Sequence, residues 1–196
     1  EDEVLKENII TEMYFDILRA EIGKYNPEVF AVSIPFPGTL VNALRALRFV
    51  RDNYPKVTRC AGGGYVNTEL RNINEKKFFD YAQYLTLDDG EKPLLNIIKK
   101  SRGESYSFKR TFLIENGQIA FHDSDEPDAE ISEGFFADYS DIDTDKYLML
   151  TDNTNPMLSM WNSDFYLKMT LAHGCYWKKC AFCDTALDYI CRFEPE

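Results

Sequence analysis

Three short apolar runs, each closed by a loop and followed by a helical pattern, limit most strongly what this chain can fold into. They lie at residues 29–34 (Val29, Phe30, Ala31, Val32, Ile34), 57–61 and 81–87. Runs this short and this rich in β-branched and aromatic residues suit strands buried on both faces. A helical pattern follows each. In residues 40–53, Leu40, Val41, Leu44, Leu47 and Val50 share one side, while Arg45, Arg48 and Arg51 fall elsewhere. A glycine turn at Gly62, Gly63 and Gly64 leads into a third helix, and a fourth runs over 92–100 with Pro93 in its first turn. Repeated strand–loop–helix units imply a doubly wound α/β fold of the Rossmann type, a parallel sheet with helices on both faces. Right-handed crossovers then place the loops after Ile34, Ala61 and Leu87 along one carboxyl edge, where such sheets bind ligands. This domain is expected over 1–105, with one further strand expected ahead of its first helix.

That first helix is expected over residues 3–24. Leu5, Ile9, Met13 and Ile17 recur at a spacing of four, flanked by Ile10, Tyr14 and Leu18, and Gly23 and Pro27 stop it. Beyond Ser101 the pattern changes. Residues 110–114 and 118–122 flank Asn116 and Gly117, the pairing of residue types that a type I′ hairpin turn requires. The hairpin and an acidic stretch make a connector over 106–164. Residues 165–171 then alternate as a strand that leads into a cysteine-rich loop, so 165–196 reads as the start of another domain.

Charge is strongly uneven. Of a net −11, ten carboxylates lie between Asp123 and Asp145 with no Lys or Arg among them, leaving −1 for the rest. Neither part offers a basic surface for nucleic acid. The acidic run reads as a solvated surface connector in preference to a docking surface. No apolar run approaches the roughly 18–20 residues of a membrane span, and the amino-terminal residues lack the pattern of a signal peptide. Five cysteines, three of them clustered, fit a metal site in a reducing compartment better than a disulfide framework. A cytoplasmic protein is therefore expected.

The clustered thiols are Cys175, Cys180 and Cys183, with four residues between the first pair and two between the second. Thiolates are soft ligands that favour zinc or iron–sulfur clusters over magnesium or calcium. Three on one loop can hold three irons of a cubane and leave the fourth open to bind a ligand. The alternatives are a structural zinc site completed by Cys191 or His173, or cysteines that bind no metal. Other residues have two readings as well. Gly62, Gly63 and Gly64 fit a tight turn or a ligand contact, and Asp88, Asp89 and Glu91 fit helix caps or ligand contacts. Cys60, at a strand end, reads as a small core residue.

The motif resembles the cluster loop of radical S-adenosylmethionine enzymes, carried by Cys175, Cys180 and Cys183 with the aromatic Phe182 before the third cysteine. The upstream domain is similar to the cobalamin-binding-type domain that often precedes their barrel. That likeness rests on the loop from Cys60 through Gly62, Gly63 and Gly64 to Asn67, and on Asp89, Gly90 and Glu91 after Leu87. It covers about residues 29–100 and 165–191. The resemblance implies a 4Fe–4S cluster on the three cysteines, S-adenosylmethionine chelating the fourth iron, and Phe182 near the adenine. It also implies reductive cleavage to a 5′-deoxyadenosyl radical that serves methyl transfer, cyclisation or related chemistry on a small-molecule or peptide substrate. The electron donor would be a flavodoxin or ferredoxin. Two departures stand out: the family usually has three residues between the first two cysteines, and no Asp-x-His-x-x-Gly loop offers a histidine to cobalt. Cobalamin stays open. A complete barrel takes on the order of 200 residues, so this chain by itself is expected to be inactive. The alternative is a cobalamin or small-ligand binding module with structural zinc.

Overall fold

The computed structural model describes residues 2–6, 8–129, 138–140, 142–147, 155, 157, 160, 172–183 and 194–195. The chain divides into two compact units, Glu1–Ala129 and Glu130–Glu196.

The first unit is α/β. Its elements are α1 (Asp2–Leu5), α2 (Ile9–Tyr25), β1 (Val29–Ser33), α3 (Leu40–Asn53), β2 (Thr58–Gly62), α4 (Gly64–Thr68), β3 (Tyr84–Thr86), α5 (Glu91–Ser101), β4 (Thr111–Glu115) and β5 (Gln118–His122). The five strands form one open mixed sheet in sequential order. β1, β2 and β3 pair in parallel, and β3–β4 and β4–β5 are antiparallel. The hairpin therefore extends the sheet instead of standing outside it, and the compact unit runs to Ala129 where the sequence suggested 105. Asn116 and Gly117 have φ of 49° and 75°, the double left-handed turn expected of type I′.

Large side chains fill one face of the sheet. Ile34, Ala61, Leu85 and Leu87 are buried with Leu47 of α3 and Val66 of α4. On the other face Cys60, Tyr84 and Leu113 pack with Ile97 of α5 and Phe108. Full burial of a residue such as Leu47 stabilises the fold by about 1.5–3 kcal/mol. Lys100, near the end of α5, lies within 5.4 Å of the ring centres of Tyr84, Tyr106 and Phe108. It ties that helix to the base of the hairpin.

The amino-terminal helix departs from expectation twice. It is broken at Asn8, whose side chain accepts from the amides of Ile10 and Thr11 at 3.0 and 3.1 Å and starts α2 afresh. Its end falls within a residue of the expected 24: the helix continues through Gly23 to Tyr25 and is capped just before Pro27 by Asn26, left-handed at φ 44°, whose amide donates to Ile22 O. More importantly, α2 packs on α3 through Phe15, Leu18 and Ile22. Phe15 stacks on Phe49 with ring centres 5.0 Å apart. The stripe of Leu5, Ile9, Met13 and Ile17 faces solvent. Arg45 and Arg48 of α3, off the apolar side of that helix, donate to the carbonyls of Glu3, Lys6 and Val4 and so terminate α1.

In the second unit the strand expected over 165–171 lies outside the described residues. Strand β6 (Ala172–His173) pairs antiparallel with β7 (Glu194–Pro195). This differs from the parallel pairing of a barrel strand.

Candidate functional sites

The carboxyl ends of β1, β2 and β3 do come together, and a crevice of about 460 Å3 opens there beside the amino-terminal turn of α5. Register explains its floor. Ala31 pairs with Cys60 and Ser33 with Gly62, so small side chains occupy adjacent strands where large ones would fill the space. Thr86 continues the floor, and Glu91 and Leu94 form the wall. Size alone does not select this crevice. A cleft of about 470 Å3 opens at the opposite edge, around Asn26, Glu28, Lys56 and Arg102. That one is walled by turn residues and the solvent-exposed Arg102–Glu28 pair, whereas open parallel sheets bind ligands at the carboxyl edge.

Each glycine in the triplet has a packing reason. A Cβ on Gly62 would come within 2.8 Å of Thr86 Oγ1, and one on Gly64 within 3.2 Å of Pro35 O. Gly63 has φ 109°, and its Cβ would lie 2.8 Å from Ile34 N. The loops after β1 and β2 thus approach too closely for side chains, locked by Ile34 N donating to Gly62 O at 2.7 Å and Tyr65 N to Ile34 O at 2.9 Å. Gly62 and Gly63 also line the crevice, so the turn and the contact surface are one feature.

The loop after β3 is held by ions. Asp88, with a side chain only 1% exposed, receives Arg71 bidentately at 2.6 and 3.0 Å and lies 3.9 Å from Arg110 Nε. Its amide donates to Asn67 Oδ1 at 2.8 Å. Arg110 also donates to Leu87 O, to Asp89 O and bidentately to Asp128. Asp88 therefore does not cap α5. The N-cap is Gly90, which makes no side-chain cap bond, and Glu91 lies in the first turn. The carboxylates of residues 123–128 fold back as partners: Asp123 accepts from the Arg110 amide and Glu126 from Asn96 at 2.8 Å. The hydrogen bond from Asn96 holds the Glu126 carboxyl below its usual range. The start of the acidic run is thus structural, and residues 130–137 lie outside the described set.

Sequence reasoning missed Arg110, which reads as an ordinary residue before a strand. The only signal was a basic residue whose partners had to come from a carboxylate run. Among the described residues lining the crevice there is no Lys, Arg or His, so it lacks the cations that phosphate groups favour. Cys60 is buried in its floor, and burial pushes its thiol up to about 12. It is the inert core cysteine that the sequence suggested.

The cysteine loop is built differently. Gly174 and Lys178 turn left-handed at φ 80° and 51°. The Lys178 amide donates to Cys175 Sγ at 3.5 Å, and the Cys183 amide to Cys180 O at 3.2 Å. All three thiols are free and half-buried. Phe182 is 93% exposed, and Tyr176 and Trp177 also face solvent. Lys179 lies 5.6 Å from the Trp177 ring centre. Three soft donors fit an iron–sulfur cluster or zinc in kind. Among the described residues, however, no three His, Cys, Asp or Glu side chains sit close enough to hold a metal ion. His173 begins the loop from β6, and Cys191 lies outside the described residues.

Comparison with known protein families and with curated proteins finds no match for the chain.

Proposed function

We propose that this chain is part of a radical S-adenosylmethionine enzyme, an iron–sulfur oxidoreductase or transferase, with Cys175, Cys180 and Cys183 as ligands of a 4Fe–4S cluster. The observation that carries the reading is the loop itself: three free thiols within nine residues, reachable from solvent, with a backbone amide already donating to Cys175 Sγ. Amide hydrogen bonds to cluster-ligating sulfur tune its potential. Because the thiols are not gathered beforehand, cluster uptake and closure of the loop would be one event. Phe182, next to the third thiol and almost wholly exposed, is free to stack against a flat ring once the loop closes. When bound, the cluster and S-adenosylmethionine supply one-electron reductive cleavage. The chain's part is to hold the donors, orient the cofactor and keep water out.

The test is anaerobic reconstitution with iron and sulfide. The expected product is brown, with equal iron and sulfide content and a cysteine-to-iron absorption band. Cys175→Ala, Cys180→Ala and Cys183→Ala each abolish the band, whereas Cys191→Ala leaves it. Stoichiometric zinc that survives chelation, with no iron uptake, would sink the proposal in favour of a structural zinc site.

The crevice supports a second reading, that the first unit is a ligand-binding module for which cobalamin is one candidate. Gly62, Gly63, Gly90 and Glu91 line the crevice and would border the ligand, whereas Asp89, on the same loop, does not line it. Gly64 acts through packing against Pro35. Titration with hydroxocobalamin, followed by its visible spectrum, checks this. No saturable change, or the same change with crevice-filling Ala31→Phe, removes cobalamin from the crevice.

A further inference from the structure

The three thiols of the cysteine loop are not equivalent. The Cys183 amide donates to Cys180 O at 3.2 Å, so Ala181 and Phe182 form the tip of one turn and the two cysteines stand at its ends. A hydrogen-bonded four-residue turn holds its end Cα atoms within about 7 Å, and a disulfide spans about 4.4–6.8 Å between the same atoms. Cys175 is set apart. Four residues separate it from Cys180, the chain between them turns left-handed at Lys178, and its sulfur accepts from the Lys178 amide. Cys180 and Cys183 are free and half-buried, open to a small reagent, whereas Cys60 is only 4% exposed.

We infer that Cys180 and Cys183 are a redox modification site, closing to a disulfide with each other when a low-molecular-weight disulfide such as glutathione disulfide is the oxidant. The thiolate of one cysteine attacks a sulfur of the oxidant, which expels one glutathione thiolate and leaves a mixed disulfide. The thiolate of the second cysteine then attacks the protein sulfur of that mixed disulfide and expels the other glutathione. Two electrons pass to the oxidant, and the two cysteine protons leave on two glutathione thiols. A metal takes thiolate sulfur, which the bridge no longer offers. The consequence rests on the cluster reading of the loop: the bridge removes two of its three ligands and confines loading to a chain kept reduced.

The test treats the metal-free chain with glutathione disulfide, denatures it and alkylates the remaining thiols. Lys178 and Lys179 let trypsin separate Cys175, on peptide 169–178, from Cys180 and Cys183 on peptide 180–192. Peptide 180–192 is expected to lack two hydrogens and to take label at Cys191 alone, with Cys175 labelled in full. The same bridge forms in Cys175→Ala and in Cys191→Ala. Cys180→Ala and Cys183→Ala stop at the mixed disulfide and retain one glutathione. The bridged chain shows no cobalt(II)–thiolate absorption, and reduction with a phosphine restores it. Label on both Cys180 and Cys183, or a bridge joining the two peptides, overturns the inference. So does cobalt uptake by the bridged chain equal to that of the reduced one. A bridge in a chain that takes up no metal when reduced leaves the disulfide standing and sinks the cluster reading, whereas iron–sulfur loading with no bridge does the reverse.

Discussion

The carboxyl-edge crevice and the cysteine loop solve the problem of presenting a site in opposite ways. Around the crevice every loop is fixed beforehand: glycines pressed against backbone, a buried aspartate between two arginines, a left-handed Arg110 clamped on Asp128. The cysteine loop has donors of the right kind, with local amide bonds at Cys175 Sγ and Cys180 O, but the thiols do not converge on one point. A rigid crevice can select a ligand by shape, whereas a loop of soft donors acquires its geometry from the metal. The two regions should therefore respond differently to the same kind of damage.

The largest effect is expected from Asp88→Ala, which takes the bidentate carboxylate from Arg71 and the nearby one from Arg110, while Arg110 keeps Asp128. Breaking a buried pair from one side costs about 3–5 kcal/mol, toward the lower end here because Arg71 is partly exposed. Urea unfolding would read it as a lower midpoint at constant slope. A loss below about 1 kcal/mol would show that the network does not hold the crevice. Gly63→Ala comes next. With φ at 109° and Ile34 N 2.8 Å from the new Cβ, a cost of about 1–3 kcal/mol is expected. Gly38→Ala, which meets nothing within 4 Å, is the control.

Lys100→Met should cost about 0.5–2 kcal/mol by removing a cation held over three rings. By contrast, alanine at Cys175, Cys180 or Cys183 should change the stability of the metal-free chain by no more than about 0.5 kcal/mol. A larger loss would mean that the loop is as preorganised as the crevice. The smallest effect is on pH dependence. Glu126 has its folded pKa lowered, so its contribution is present above the ordinary glutamate value. It is lost as pH falls from there through the lower folded value. Acid titration of the melting temperature should show this decline, and Glu126→Gln should flatten it.

Much of the first unit was legible because its signals are local. Three apolar runs, their loops, and the Asn116–Gly117 turn each declare themselves within a few residues. The face of α2 did not, because apolar residues occupy more than one side of that helix. The spacing of Leu5, Ile9, Met13 and Ile17 is as regular as that of Leu18 and Ile22, and stacking of Phe15 on Phe49 decides between them only in three dimensions. Asp88 read as a cap for the same reason. Its partners Arg71 and Arg110 lie 17 and 22 residues away, and nothing in their local sequence marks them as partners of a buried carboxylate. In the cysteine loop the donors were legible, but the spacing of thiols says nothing about whether they converge before a metal arrives.

The sequential strand order also bears on how the first unit is made. Since each strand neighbours the next in chain order, no strand waits for a partner synthesised much later. As the chain leaves the ribosome, β2 can dock on a completed β1 and β3 on β2. The β4–β5 hairpin, whose closure needs only microseconds, can then be added as a finished piece. Contacts of low sequence separation favour rapid folding and shorten the time during which strand edges stand open to other chains.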